Sequence, residues 1–274
     1  MTRITSLQNP RVKAAARLRD ARHRRIQGRF LIDGLREIDR AARGGVELIE
    51  LFYCPARCPA GQTAAFETLL EQAGFERLEL SPAVFDRLAF GDRAEGVVAT
   101  ARTPQRKLDE IRLGDHPLVA VIEGIEKPGN VGAVLRSADA AGVDLVIVAA
   151  GRTDLYNPNT LRASLGTIFT VPVCEATVDE TLEWLRARRL AILAARVEGS
   201  TAYSDVDYRQ GAALVLGSEA EGLSDRWRAD DIQAIRLPML GAADSLNISA
   251  TAAVLFYEAL RQRTEPHKRT EPRP

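Results

Sequence analysis

AIRLPMLGAADSLNISATAAVLFYEALRQR, residues 234–263, begins as an apolar strand and ends as an amphipathic helix. The strand is predicted over residues 234–238, and a loop that contains Gly241 follows it. The helix is predicted from an apolar face at helical spacing. That face consists of Ala252, Leu255, Phe256, Ala259 and Leu260.

Ser245, Leu246 and Asn247 lie between this strand and this helix. Serine and asparagine are common helix N-caps, because their side-chain oxygens accept hydrogen bonds from the open amides of the first turn. A cap accounts easily for one such residue. It accounts less well for two that flank a leucine of the buried type, so a binding role stays open beside capping.

Upstream of this segment, apolar runs alternate with helical patterns. Strands are predicted over residues 118–122, 145–149, 169–173, 190–195 and 213–217, and helices over 131–141, 158–165 and 177–188. A further helix is expected to start at 223–228, with Ser224 as its cap. Uniformly apolar strands are typical of a parallel sheet that is covered on both faces.

GNVGAVLRS, residues 129–137, lacks the GxGxxG spacing of a dinucleotide-binding turn, which speaks against an NAD enzyme.

The first hundred or so residues predict a smaller α/β domain. A basic, helix-compatible stretch covers residues 4–29, strands are expected over 29–32, 46–54, 78–80 and 96–101, and helices over 34–43, 63–73 and 82–89. The polar, charged run TPQRKLDEIRL, residues 103–113, predicts a linker. The expected organisation is therefore an N-terminal domain 1–102, a linker 103–115, a C-terminal domain 116–263 and a disordered tail 264–274 that is rich in proline and charge.

Three motifs of the C-terminal domain resemble those of one family. Glu123-Gly124 with Asn130-Val131-Gly132-Ala133 and Arg136 form the first, LGSEAEGL at 216–223 forms the second, and Pro238-Met239 followed after five residues by SLNIS forms the third. They resemble the motifs of the SpoU/TrmH RNA 2'-O-ribose methyltransferases of the SPOUT class. Because all three occur in the family's order, a chance match is improbable.

The resemblance implies a fold and an assembly. The C-terminal domain is expected to be an α/β, parallel-sheet SPOUT domain with a deep trefoil knot, a feature that is rare in other proteins. Family members are homodimers, and many carry a smaller N-terminal α/β RNA-binding domain. RFLIDGLREI, residues 29–38, resembles the opening of such domains in members that act on ribosomal RNA.

The resemblance also implies S-adenosylmethionine as the cofactor. It is expected to bind in a bent form where the loops at 194–195, at Gly217 and at 238–247 meet. Matching the motifs residue by residue assigns cofactor contact to Gly217, Leu237 and Leu246. Glycine lets the backbone approach a ligand closely, and both leucines can offer main-chain groups. For either leucine, plain core packing is the alternative.

The same resemblance assigns catalytic roles to five residues, Arg136, Asn130, Glu219, Ser245 and Asn247. Arg136 is expected to promote deprotonation of the ribose 2'-hydroxyl, although arginine is a poor base and can instead act as a fixed charge that stabilises the alkoxide. A surface arginine on an amphipathic helix is the alternative. Asn130 either fixes the catalytic loop and the ribose or caps a helix, and Glu219 either holds the active-site loop or caps the next helix. Asn247 is expected near the methyl donor, and Ser245 is expected to contact the substrate or orient Arg136.

Charge is distributed unevenly along the chain. The formal net charge is +0, so attraction to RNA must come from a local excess of positive charge. Residues 1–45 hold twelve Lys and Arg against four Asp and Glu. Five arginines in this arm are predicted to contact RNA phosphates, with a solvated helix face as the alternative. They are Arg17, Arg19, Arg22, Arg24 and Arg25.

Other classes of site find little support in the sequence. Cys54, Cys58 and Cys174 are too few for a disulfide framework, and Cys54 and Cys58 lack the second ligand pair of a zinc site, so no metal is expected. Apolar runs stay well below the length of a membrane span, and no signal core is seen, which favours a cytoplasmic protein without membrane association.

The leading hypothesis is an S-adenosylmethionine-dependent RNA 2'-O-ribose methyltransferase that acts on ribosomal RNA. A transfer-RNA methyltransferase is the alternative within the class, which the sizeable N-terminal domain disfavours. A non-catalytic RNA-binding protein of the same fold is the alternative outside it, which the joint presence of the five catalytic-type residues disfavours. Whether the modification would serve antibiotic resistance is left open.

Overall fold

The computed structural model describes residues 3–71, 74–90 and 95–264. Their contacts divide into two compact units. The first unit is drawn from residues 1–105, 127–136 and 153–170, and the second from 106–126, 137–152 and 171–274. The predicted disordered tail, 264–274, starts at Thr264, which is the last residue of a helix, and its other residues lie outside the described residues.

A five-stranded mixed sheet forms the first unit. Its strands are β1 Arg3–Ile4, β2 Arg29–Asp33, β3 Leu48–Tyr53, β4 Glu76–Leu80 and β5 Val97–Arg102, in the order β1-β4-β3-β5-β2. Its helices include α1 Pro10–Arg17, α2 Ala21–Gln27, α3 Leu35–Arg43, α4 Thr63–Glu71 and α5 Pro82–Leu88. Strand β5 runs antiparallel to both of its neighbours. Phe52 and Phe85 are fully buried in its core.

The basic stretch at residues 4–29 is not one helix. The side chain of Asn9 caps α1 by accepting the amide of Arg11 at 2.9 Å, and Asp20 caps α2 by accepting the amide of Arg22 at 2.7 Å. Gly28 ends α2 in the left-handed conformation. The Asp20 cap splits the stretch into two short helices, since its side chain satisfies a backbone donor that a continuous helix would satisfy internally.

The second unit is built on a seven-stranded, entirely parallel sheet. Its strands are β6 Leu118–Glu123, β7 Leu145–Ala149, β8 Val173–Ala176, β9 Ala191–Ala195, β10 Thr201–Ala202, β11 Ala212–Leu216 and β12 Ile232–Arg236, in the order β10-β12-β9-β11-β6-β7-β8. The remaining α-helices of the described residues are α6 Pro128–Ala141, α7 Pro158–Ser164, α8 Val178–Ala187 and α9 Ile248–Thr264. Val121 and its register partner Ile147 lie on one face of the sheet, and Ala120 and its partner Val146 lie on the other. All four are fully buried, which confirms the prediction of a sheet covered on both faces.

Two predicted elements were placed wrongly. Residues 169–173 do not form a strand: Thr167–Phe169 is a 3-10 turn, and β8 begins at Val173, directly after Pro172, which has no amide to donate to a sheet. Residues 223–228 contain only the 3-10 turn Asp225–Arg228, and the Ser224 side chain makes no capping hydrogen bond there.

The predicted linker is ordered in its second half. Leu108, Ile111 and Leu113 pack against the apolar core of the second unit. The indole of Trp184 donates to the carbonyl of Leu108 at 2.7 Å. These three residues are therefore part of the folded unit. The segment was predicted to be a linker because the residues around these three apolar side chains are mostly polar.

Helix α9 buries the face that its sequence predicts. Ala252, Leu255, Phe256 and Ala259 are fully buried, whereas Leu260 is partly exposed. Within the described part of the chain, no helix is both long and apolar enough to cross a membrane.

Candidate active site

A cavity of about 390 Å³ opens at the carboxyl ends of β9, β11 and β12. Ala195 lines it from the end of β9, Gly217 from the residue after β11, and Leu237 from the residue after β12. Ser245 and Leu246, which precede α9, complete its rim. The structure thus brings the three predicted loops to one place. Such an edge is where ligands bind in parallel α/β sheets.

The loop after β11 is a tight turn closed on itself. The amide of Gly222 donates to the carbonyl of Ser218 at 3.0 Å, and the amide of Glu221 donates to the Ser218 hydroxyl at 3.1 Å. A Cβ atom at Gly217 would collide with the backbone of Gly222. The structure therefore adds to the sequence interpretation of Gly217: the turn itself requires a glycine here, apart from any approach of a ligand.

Glu219, at the tip of this turn, is held by the third motif. Its carboxylate accepts a hydrogen bond from the side-chain amide of Asn247. The side-chain oxygen of the same Asn247 accepts the amide of Ser249 at 2.9 Å, which caps α9. Asn247 is therefore the helix cap that the sequence allowed and also a link between two motifs, while its predicted role near the methyl donor stays a prediction.

A buried carboxylate anchors the other end of the turn. Glu123, the last residue of β6 and only 7 % exposed, accepts from the amide of Ser224 at 2.8 Å and from its hydroxyl at 2.7 Å. This contact explains why Ser224 caps no helix. Glu123 belongs to the first motif but was assigned no role from it, although an acid that ends an apolar strand signals a buried partner.

Arg152 links the turn to the loop after β6. Its guanidinium donates to Glu126 at 2.7 Å and to Glu221, a residue of the cavity wall, at 2.9 Å. Both carboxylates raise the pKa of Arg152. Arg152 belongs to none of the three motifs, and a lone arginine after a strand carries no signal of such a pairing.

Another arginine, Arg196, lies in the cavity wall directly after β9. Its side chain is 6 % exposed, and its Nε–H is buried without a hydrogen-bond partner among the described residues. Arg196 belongs to none of the three motifs, so the sequence carries no signal of a site role for it. Only the fold reveals that it faces the cavity rather than solvent.

Asn130 and Arg136 lie on α6 and belong to the first unit. Asn130 is inside the first helical turn, since α6 begins at Pro128, so it is not the N-cap that the sequence allowed. Arg136 is exposed. A Cβ at Gly132 would stand 2.5–2.7 Å from Thr160, Ala163 and Ser164 of α7, so the glycine of the first motif permits close helix packing.

The five arginines of the basic arm differ in their surroundings. Arg17, Arg22 and Arg25 are exposed. Arg19, also exposed, donates to the carbonyl of Leu88 at 3.1 Å. Arg24 is 3 % exposed, pairs with Asp154 at 2.8 Å and donates to the carbonyls of Leu18 and Arg19. Arg24 is thus engaged inside the protein, which speaks against its predicted role at the RNA surface.

Comparison with known proteins places this site in a family context. The SpoU rRNA Methylase family matches residues 117–257, and the MRM3-like substrate binding domain matches residues 9–99. A 23S rRNA (uridine(2479)-2'-O)-methyltransferase of Streptomyces viridochromogenes is 32% identical over 280 residues, covering 98% of this chain and 96% of that protein.

Two solved structures are similar over nearly the whole chain. A crystal structure described as an RNA 2'-O ribose methyltransferase has a TM-score of 0.82 and 42% identity, covering 96% of this chain and 99% of the other. The SpoU methyltransferase AviRb from Streptomyces viridochromogenes in complex with AdoMet has a TM-score of 0.86 and 30% identity, covering 95% and 100%.

Proposed function

The chain belongs to the SpoU rRNA methylase family, and on that premise we propose that it transfers a methyl group from S-adenosylmethionine to a ribose 2'-hydroxyl of ribosomal RNA. One observation carries the proposal: the second and third motifs meet around a single cavity at the carboxyl ends of parallel strands. The solved relative with AdoMet bound supports this choice of cofactor.

The residues around the cavity fit this cofactor. Its volume, about 390 Å³, lies in the range of about 300–1,000 Å³ that is typical of small-molecule sites. Leu237 and Leu246 offer apolar side chains to an adenine, and Gly217 keeps the wall at the level of the backbone. The bound cofactor would supply an activated methyl group. The protein's task is then to align that group with the hydroxyl, which needs little covalent help.

Five residues are proposed to carry the reaction. Arg136 stabilises the oxyanion that forms as the ribose hydroxyl loses its proton, as a fixed positive charge would. Asn130 positions the ribose from the same helix. Glu219 and Asn247 hold the loops of the second and third motifs in place through their hydrogen bond, and Ser245 contacts the substrate. Within the described residues, no group of three or more acidic, histidine or cysteine side chains could hold a metal ion.

RNA recognition is proposed for the N-terminal domain, residues 1–102. The segment 103–115 follows it, and Leu108, Ile111 and Leu113 of this segment pack on the core of the methyltransferase domain 116–263. The match of residues 9–99 to a substrate-binding domain supports the role in RNA recognition. Arg17, Arg22 and Arg25 present exposed charge for phosphate contact, with Arg19 beside them. A ribosomal RNA substrate also fits the cytoplasmic location expected from the sequence.

A trefoil knot and a homodimer complete the proposal. Helix α9 packs against β11, although the strand before it, β12, is separated from β11 by β9. The chain after β12 therefore crosses the ends of its neighbours, and such a path supports a knot. Val254 and Tyr257, 37% and 51% exposed on α9, offer an apolar contact to a second copy. Sedimentation of the purified protein tests the dimer: a monomer at micromolar concentration would count against it.

The substrate is tested by incubating the purified protein and labelled S-adenosylmethionine with ribosomal RNA and, separately, with transfer RNA. We expect label in ribosomal RNA. Label confined to transfer RNA would keep the chemistry and contradict the substrate. Thermal shift with the cofactor separates two failures: no label and no shift would favour a non-catalytic RNA-binding protein, whereas a shift without label would indicate that an assembled ribosomal particle is required.

A further inference from the structure

Arg196 is a buried cation in the wall of the cavity that lacks a full set of partners. Its side chain is 6% exposed. Its Nη2 donates to the carbonyl of Ser224 at 3.1 Å, its Nη1 lies 3.6 Å from Glu198, beyond hydrogen-bond distance, and its Nε–H has no partner among the described residues. A guanidinium carries five N–H donors, and the buried Nε–H is one that the described residues leave unpaired.

The neighbouring arginine of the cavity, Arg228, is in the opposite situation. Its side chain is 54% exposed. Its Nε donates to Asp225 at 2.9 Å and its Nη2 donates to Glu198 at 2.8 Å. The carboxylate nearest to Arg196 is therefore already engaged by Arg228. Of these two cavity arginines, Arg196 is the buried one, and it shares Glu198 with Arg228 at the longer distance of 3.6 Å.

A buried charge without a partner is costly, and a carboxylate held in a bidentate manner is the geometry that suits a guanidinium best. S-adenosylmethionine has one anionic group, the α-carboxylate of its methionine part. The other charged side chains of the cavity include Glu219, Glu221 and Asp244, which would repel that carboxylate.

We propose that Arg196 binds the α-carboxylate of S-adenosylmethionine and so selects cofactors that retain it. This rests on the proposed function of the cavity. It adds a side-chain contact after β9 to the backbone and apolar contacts expected of the other two loops, and it fixes which end of the cavity receives the methionine part.

The test compares two ligands that differ only in the carboxylate, S-adenosylhomocysteine and its decarboxylated counterpart S-adenosyl-3-thiopropylamine. Calorimetry is carried out on the wild type, Arg196→Gln and Arg196→Lys. We expect the wild type to prefer S-adenosylhomocysteine by about ten- to a hundredfold, the range of a charged hydrogen-bonded contact. Arg196→Gln should lose that preference, and Arg196→Lys should keep part of it.

Arg186→Gln is the control, since it removes a cation of the same unit whose partner Asp231 does not line the cavity, and it should retain the wild-type preference. Equal binding of the decarboxylated ligand by wild type and Arg196→Gln shows that the cavity is still folded. A preference for the carboxylate that survives in Arg196→Gln would overturn the inference. So would a loss of both ligands in both Arg196 variants, which would mark the residue as structural. Failure of the wild type to bind either ligand would instead refute the proposed cofactor site.

Discussion

Asn247 caps helix α9 with the oxygen of its side-chain amide, and the nitrogen of the same amide donates a hydrogen bond to Glu219. This places the second and third motifs in one hydrogen-bonded arrangement beside the cavity. The start of α9 and the tip of the turn after β11 cannot shift independently while the contact lasts. Cofactor affinity and turnover should therefore depend on it more than stability does.

The link makes a prediction for Glu219. Glu219→Ala removes the acceptor, so we expect turnover to fall at least about tenfold, while the melting temperature stays near that of the wild type because Glu219 is exposed and the cap of α9 remains. Glu219→Gln keeps an oxygen that accepts from Asn247 and should retain most of the activity. Methyl-transfer kinetics would contradict the positioning role if both variants were equally inactive.

Gly217 offers a test of the turn. A methyl group there would meet the backbone of Gly222. Gly217→Ala should therefore lower the free energy of unfolding by about 1–3 kcal/mol and weaken cofactor binding. Gly241→Ala is the control, because its added methyl meets nothing within 4 Å, and it should stay within about 0.5 kcal/mol of the wild type. Equal effects of the two changes in denaturant unfolding would refute the steric explanation.

Arg136 is expected to act on the reaction and not on cofactor binding. Arg136→Ala should lower the rate of methyl transfer by about a hundredfold or more, with S-adenosylmethionine affinity within about twofold of wild type. Arg136→Lys keeps the charge but not the planar fork and should recover part of the loss. Single-turnover rates and calorimetry measure the two quantities separately. Undiminished turnover in Arg136→Ala would remove this residue from the mechanism.

The basic arm should bind RNA through its exposed charges. Reversing Arg17, Arg22 and Arg25 to glutamate is expected to weaken RNA binding and to reduce the slope of log affinity against log salt by about 2–3, since each lost phosphate contact removes about 0.7–0.9. Arg24 is left unchanged, because breaking its buried pair with Asp154 would unfold the arm instead of testing it.

A control for net charge comes from the second unit. Arg186, Arg226 and Arg261 are exposed and each already pairs with an acid. Reversing these three changes the net charge equally but should leave the salt slope near that of the wild type. If both triple variants shift the slope alike, the arm is only a solvated face.

Asp33 gives a prediction about pH. Burial raises its pKa to about 7, and its Oδ1 has no partner among the described residues. Because the folded pKa lies above the unfolded value, the folded state binds the proton more tightly, so the contribution of Asp33 to stability is present at low pH and is lost as pH rises from about 4 to about 7. Asp33→Asn should remove this loss. Relative to the wild type, the variant should therefore be more stable at pH 7.5 than at pH 4.5, by on the order of 3 kcal/mol in the free energy of unfolding. A pH-independent difference would refute the shift.

Much of the second unit could be predicted from the sequence because its strands are continuous apolar runs. Strand β7 was predicted with the bounds it has in the structure, and β6 and β11 within one residue. Elements whose bounds depend on single residues were missed. Strand β8 begins only after Pro172, later than predicted. The Ser224 side chain donates to Glu123, a residue far away in the sequence, instead of capping a helix.

The site divides in the same way. The motifs identified Gly217, Leu237 and Leu246, and the structure gathers them around one cavity. Arg152 and Arg196 escaped notice because neither belongs to a motif, and an isolated arginine in a sequence is by default a surface residue. Their partners come from other loops, so only the fold shows that one clamps the turn and the other is buried.

The chemical position of the transferred methyl group tests the central claim most directly. Ribosomal RNA treated with the protein and methyl-labelled S-adenosylmethionine is hydrolysed in alkali, which cleaves next to every free 2'-hydroxyl. We predict that the label appears in an alkali-resistant dinucleotide, and that a substrate with a 2'-deoxy sugar at the target position takes up none. Label released as a methylated mononucleotide would place the methyl group on a base and would contradict the assignment of 2'-O-methyl transfer.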